Sequence, residues 1–129
     1  LLESVETGPH DPHFAGYFRC FNEQKFYEAH DVLEALWLQD RNGQDGDFFK
    51  GLIQFAGGFV HLKKQRPRPA WKLFRLCSTY LAKYPSPHLA LDVTNLLRLA
   101  KHWAEAAQAL GREGDLLAEQ TPPTLRLQS

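Results

Sequence analysis

The stretch DFFKGLIQFAGGFVHLKKQ, residues 47–65, decides the fold. Phe48, Phe49, Leu52, Ile53, Ala56, Phe59 and Val60 recur three and four residues apart, the spacing of a helix with one broad apolar face. Pro67 and Pro69 follow; they forbid continuation of this helix and suit the first turn of the next. Gly51, Gly57 and Gly58 lie inside the helical pattern, where each costs about 1 kcal/mol relative to alanine. Close approach of a neighbouring helix or of a ligand has to compensate, and helix packing is the simpler of the two.

Working outward, RNGQDG at residues 41–46 is turn chemistry, with Asn-Gly and Asp-Gly pairs. Before it, a helix from about Glu23 to Gln39, capped by Asn22, places Phe26, Ala29, Val32, Leu33, Leu36 and Trp37 on one side. Asp11 and Pro12 form a cap and first-turn pair for a shorter helix ending near Cys20. After the prolines, Trp71, Phe74, Cys77 and Leu81 mark a fourth helix that stops before Pro85. A last helix starts near Asp92, carries Leu96, Ala100, Trp103 and Ala107 inward, and is stopped by Gly111 and Gly114. No segment sustains a period of two, so the expected fold is all-α, about five helices in an antiparallel bundle or stacked helical hairpins. Residues 1–10 read as a flexible lead-in, 11–111 as a single helical domain, and 112–129 as an extended C-terminal tail over the bundle.

With 43% hydrophobic and 23% charged residues the chain is ordinary for a globular protein, and no apolar run approaches the roughly 18 residues a bilayer span needs. A membrane is therefore not an expected partner. Fifteen Lys plus Arg balance fifteen Asp plus Glu, which leaves no global field to gather nucleic acid, and nucleic acid is not expected either. Cys20 and Cys77 are far apart and have no CxxC spacing, so reduced thiols and a cytoplasmic location are expected. The chain has no methionine, which implies residues ahead of Leu1.

The polar residues with chemical potential sit on helices two and three. His30 falls at the edge of the apolar stripe beside Phe26 and Trp37, with Glu34 one turn later. A histidine and a carboxylate four residues apart can share a proton or hold one cation. On helix three, Lys50, Gln54, Gly57 and His61 fall at i, i+4, i+7 and i+11 and share one side. If the two helices form a hairpin, His30, Glu34 and His61 offer two imidazoles and a carboxylate, an open coordination set for zinc or a similar divalent metal. The same groups could act as an acid/base pair, with Lys50 holding an anionic substrate. No HExxH, GxSxG or phosphate-loop pattern accompanies them, so no catalytic residue is assigned and enzyme activity stays open. In the competing account these side chains only satisfy one another and fix packing, the commoner fate of buried polar groups.

The blocks FNEQKFYEAHDVLEALW and FFKGLIQFAGGFVHL resemble domain-of-unknown-function family 309, small all-helical proteins found largely in bacteria and archaea. The similarity runs from about Phe21 to Leu110. It rests on the Phe-Asn opening, the Glu-x-His-acid-x-Leu-Glu-x-x-Trp core, and Gly-Leu-Ile-Gln followed by His. The resemblance implies an all-helical fold and makes Glu28, His30, Asp31, Glu34, Trp37, Gln54 and His61 characteristic positions, without implying a reaction or cofactor. Where the family commonly has Gly-Asn and Gly-Ala, this chain has Gln65-Arg66-Pro67-Arg68-Pro69-Ala70, a stiffer turn.

Three functions remain in play. The first is a ligand or metal site built from Glu28, His30, Asp31, Glu34, Lys50, Gln54 and His61. The second is a helical interaction module, such as a homodimer or adapter, whose polar cluster is structural. The third is phosphate or RNA binding through the basic turn 63–75, with Trp71 as a stacking surface.

Overall fold

A computed structural model describes residues 11–128; the lead-in assigned to residues 1–10 lies outside them. Five helices follow one another: α1 (Pro12–Asn22), α2 (Phe26–Asp40), α3 (Gly46–Lys63), α4 (Pro67–Leu81) and α5 (Val93–Leu110). A short 3-10 turn follows at Leu116–Ala118, and there is no strand among the described residues. Consecutive helices pack on one another, which makes the chain a series of stacked hairpins and bears out the all-helical expectation.

The caps show why the helices begin where they do. The Asp11 carboxylate accepts from the backbone N–H groups of His13 and Phe14 at 2.7 and 3.3 Å, satisfying two of the donors that open α1. Asp92 does the same for α5 by accepting from Asn95 N–H at 3.0 Å. Gly111, at φ 89°, ends α5 in a conformation that a side chain would disfavour.

Asn22 corrects the sequence reading. It does not cap α2, which starts three residues later from Lys25 without a side-chain cap. Asn22 is the last residue of α1, and its amide bonds both backbone groups of Leu125, donating to the carbonyl at 2.8 Å and accepting from the N–H at 2.7 Å. These two bonds hold the C-terminal segment in place, bury Leu125 and leave the chain extended through residues 121–128.

Helix α3 is the axis of the molecule. Of its 18 residues, 12 are buried, because α2 covers one side and α4 another. Phe59 is the hub: its ring meets Phe21, Phe26, Phe55, Phe74 and Trp103 at centroid distances of 4.9 to 5.4 Å. A methyl group on Gly58 would fall 2.5 Å from the Phe74 ring, and one on Gly51 would fall 2.8 Å from Leu81. The glycines therefore exist to seat α4, as helix packing predicts.

The segment between α4 and α5 is tied to the start of α3. Tyr84 donates to the Gln44 carbonyl at 2.9 Å and accepts from Phe48 N–H at 3.0 Å, and Lys83 pairs with Asp47. His88 Nε2 lies 2.8 Å from Asp45 Oδ1, with both side chains largely covered and the imidazole edge-on to Phe48.

Candidate functional site on helices α2 and α3

One turn of α2 gathers three potential ligands. Residues 30 and 34 are one turn apart and 31 and 34 three residues apart, so all three side chains can leave the helix on neighbouring sides. One donor atom each from His30, Asp31 and Glu34 lies within 4.8 Å of the others, and His30 Nδ1 is 3.2 Å from Asp31 Oδ1. Tyr27 lies parallel to the His30 ring one turn earlier, with centroids 6.3 Å apart, and is 62% exposed. The helix adds further acids at Glu28 and Asp40 and no lysine or arginine, so the donors sit in a negative local field that favours a cation.

Behind His30 is a small cavity of about 130 Å³ between α2, α3 and α4. Tyr27 and His30 enter it from α2, Gln54, Gly57, Val60 and His61 from α3, and Leu73 from α4. The hairpin thus brings His30, Gln54 and His61 together, as the helical phases suggest. The other candidates go elsewhere. Glu28 lines an adjoining groove with Lys63 and Lys64, and the Lys50 ammonium lies 4.3 Å from the centre of the Trp37 ring as a cation–π contact. His61 is not part of the His30, Asp31, Glu34 group.

His61 Nδ1 is buried without a hydrogen-bond partner, the one such side-chain atom among the described residues. Buried polar atoms are nearly always paired, so this nitrogen is available to a water or ligand in the cavity. Burial, and then the nearby Lys64 and Arg66 charges, hold the imidazole below its ordinary range. It is therefore neutral at neutral pH and keeps one lone pair.

This depression has a sign that can be tested. Between the folded pKa and the ordinary value near 6.5, the unfolded chain binds a proton that folded His61 refuses. Stability of the metal-free protein should thus fall as pH drops from 7.5 to 5.5. In His61→Gln part of that slope should disappear in urea titrations at matched pH, and an unchanged slope would assign the acid sensitivity to other groups.

Leu73 and Val60 are not legible in the sequence as walls of the cavity, since apolar periodicity marks Val60 only as a helix-face residue and leaves Leu73 out of the apolar set of its helix. Tyr27, one turn before His30 in the sequence, is a further wall. The tryptophans divide: Trp103 is buried, whereas Trp37 and Trp71 lie half-buried at the rim of the core.

Residues 14–73 match the family Domain of unknown function (DUF309). The DUF309 match spans α1 through the first half of α4, which includes every candidate ligand from Glu28 to His61. It starts earlier than the sequence similarity suggested and stops well short of Leu110, so α5 lies outside it. No curated protein matches the chain. No helix among the described residues is long and apolar enough to cross a membrane.

Proposed function

We propose that the α2–α3 face binds a divalent metal ion, which holds a small ligand against the adjoining cavity. The observation that carries this reading is the double membership of His30. It belongs to a compact imidazole–dicarboxylate group, and it also lines the cavity that contains Gln54 and the unpartnered nitrogen of His61. One imidazole and two carboxylates can occupy three positions of a first-row divalent ion and leave others for water or ligand. Gln54 and His61 then supply hydrogen bonds to whatever occupies the cavity. No reaction is assigned.

Isothermal titration of metal-free protein with Zn²⁺ and Mn²⁺ tests the proposal. The expected result is one ion per chain, with affinity lowered roughly tenfold or more in His30→Ala and Glu34→Ala while their melting curves stay close to wild type. Absence of saturable binding, or binding indifferent to both substitutions, would sink it. The exposed large apolar side chains form no continuous patch: Tyr27 and Leu38 share one side of α2 but are about 16 Å apart along it with Asp31 and Glu34 between them, and Leu76 is on α4, which favours a site over an interaction module. We also infer a cytoplasmic setting, which the unpaired Cys20 and Cys77 support.

A further inference from the structure

The balanced charge of the chain conceals a segregation. Helix α2 carries Glu28, Asp31, Glu34 and Asp40 without a single lysine or arginine, whereas α4 carries Arg68, Lys72 and Arg75 without a single acid. Among the described residues, none of these three cations has a carboxylate within 4 Å, nor does Arg112 beyond the end of α5. Lys101 is within 3.5 Å of Glu105, the one acid bordering this side. A zero total therefore coexists with a locally positive face, and it is the local field that a polyanion meets.

Shape points the same way. Three grooves of about 540, 350 and 270 Å³ share Trp71 as a common wall. The largest runs between α4 and α5, the second lies along α4, and the third reaches Arg68 and Arg112 where α4 begins and α5 ends. The Arg75 guanidinium lies 5.2 Å from the centre of the Trp71 ring, so an aromatic and a planar cation are already paired at the junction.

We propose that the α4–α5 face binds single-stranded nucleic acid, with Arg68, Lys72 and Arg112 on phosphates and the Trp71–Arg75 pair as the stacking platform for a base. A positive groove combined with an aromatic or guanidinium plane is the combination by which single strands are held without sequence preference. An acidic peptide would use the charges but gain nothing from the platform. An anionic bilayer is a poorer fit, because the face is concave and Leu76 is its one exposed large apolar side chain. Helix α4 is 15 residues long, roughly 22 Å, which suits a site of about four nucleotides. Lys101 on α5 and Arg112 just beyond its end lie outside the DUF309 match, so the face belongs to this chain as a whole.

The test is fluorescence anisotropy of the full chain with a labelled twelve-nucleotide oligo(U) or oligo(dT) in 50 mM salt. Binding is expected, and three phosphate contacts predict that it weakens roughly 20-fold between 50 and 200 mM salt. Arg68→Glu with Lys72→Glu should lower affinity at least tenfold, and Trp71→Ala several-fold, each with an unchanged circular dichroism spectrum. Lys25→Glu, a charge reversal on the α1–α2 turn away from this face, should stay within twofold of wild type. Three results would overturn the proposal: no binding at 50 mM salt, binding that ignores the α4 substitutions, or equal binding of a poly-glutamate peptide or of phosphatidylserine vesicles. Because Trp71→Ala also opens a small space at the core rim, Arg75→Gln provides a second reading of the platform that leaves the indole in place.

Discussion

Phe59→Ala should cost about 4 kcal/mol and lower the melting temperature by roughly 15 °C. The loss is large because five aromatic rings on four other segments and on α3 itself lie against this one side chain. Removing it deletes transfer free energy and leaves a cavity whose walls are fixed by helices on every side. Against the 5 to 15 kcal/mol that typically separates folded from unfolded chains, the variant would sit near the edge of stability. Guanidinium titration of the purified variant checks the value. Leu38→Ala, at a 56% exposed position on α2, should change stability by less than about 0.5 kcal/mol in the same assay. A loss below about 2 kcal/mol for Phe59→Ala would show that the aromatic cluster can collapse around the gap.

Gly58→Ala is the second large effect, and its sign runs against helix propensity. Propensity alone would favour alanine by about 1 kcal/mol. The added methyl group, however, would lie 2.5 Å from both Cε1 and Cζ of Phe74, a buried ring wedged against Phe55 and Phe59. Overpacking of that kind costs typically 1 to 3 kcal/mol and more when the neighbour cannot rotate away, so a net loss of about 2 kcal/mol is expected. At Gly57 the methyl would meet only the terminal Cδ1 of half-buried Leu73 at 2.9 Å, which a rotamer change relieves. Gly57→Ala should therefore lie within about 1 kcal/mol of wild type. Equal effects at the two positions, measured by thermal melts, would mean that α4 shifts as a body instead of clashing locally.

The two glycines also show what was legible in the sequence. Periodicity identified α3 and its apolar face, and the prolines placed the start of α4. It could say that three glycines needed a reason, but the choice between helix and ligand depended on where Phe74 and Leu81 land. Local chemistry was read well wherever cap and partner are close in the chain, as with Asp11 and Asp92. It failed where partners are distant: Asn22 looks like a cap until Leu125 arrives 103 residues later, and His88 looks idle until Asp45 is found beside it.

The candidate site follows the same rule. His30 and Glu34 were legible because one helix places them together, and Gln54 and His61 because another does. The grouping of Asp31 with His30 and Glu34 is local to α2 and follows from its sequence spacing, whereas the turning of His61 toward the cavity depends on how far α3 slides along α2. The sequence could not show that Lys50 is drawn to the Trp37 ring. The neutral total charge gave no hint of the separation of acids on α2 from bases on α4, because a sum carries no positions.

The clamp between Asn22 and Leu125 bears on how the chain can be shortened. A helix count suggests Gly111 as a natural place to cut. Such a cut would strip away Leu116 and Leu125, uncover the apolar surface they shield, and strand the amide of Asn22 at the end of α1. The irregular final segment thus helps to close the core, and a trimmed version would expose a sticky seam on α3 and α5 beside Leu116 and at the end of α1 even with all five helices retained.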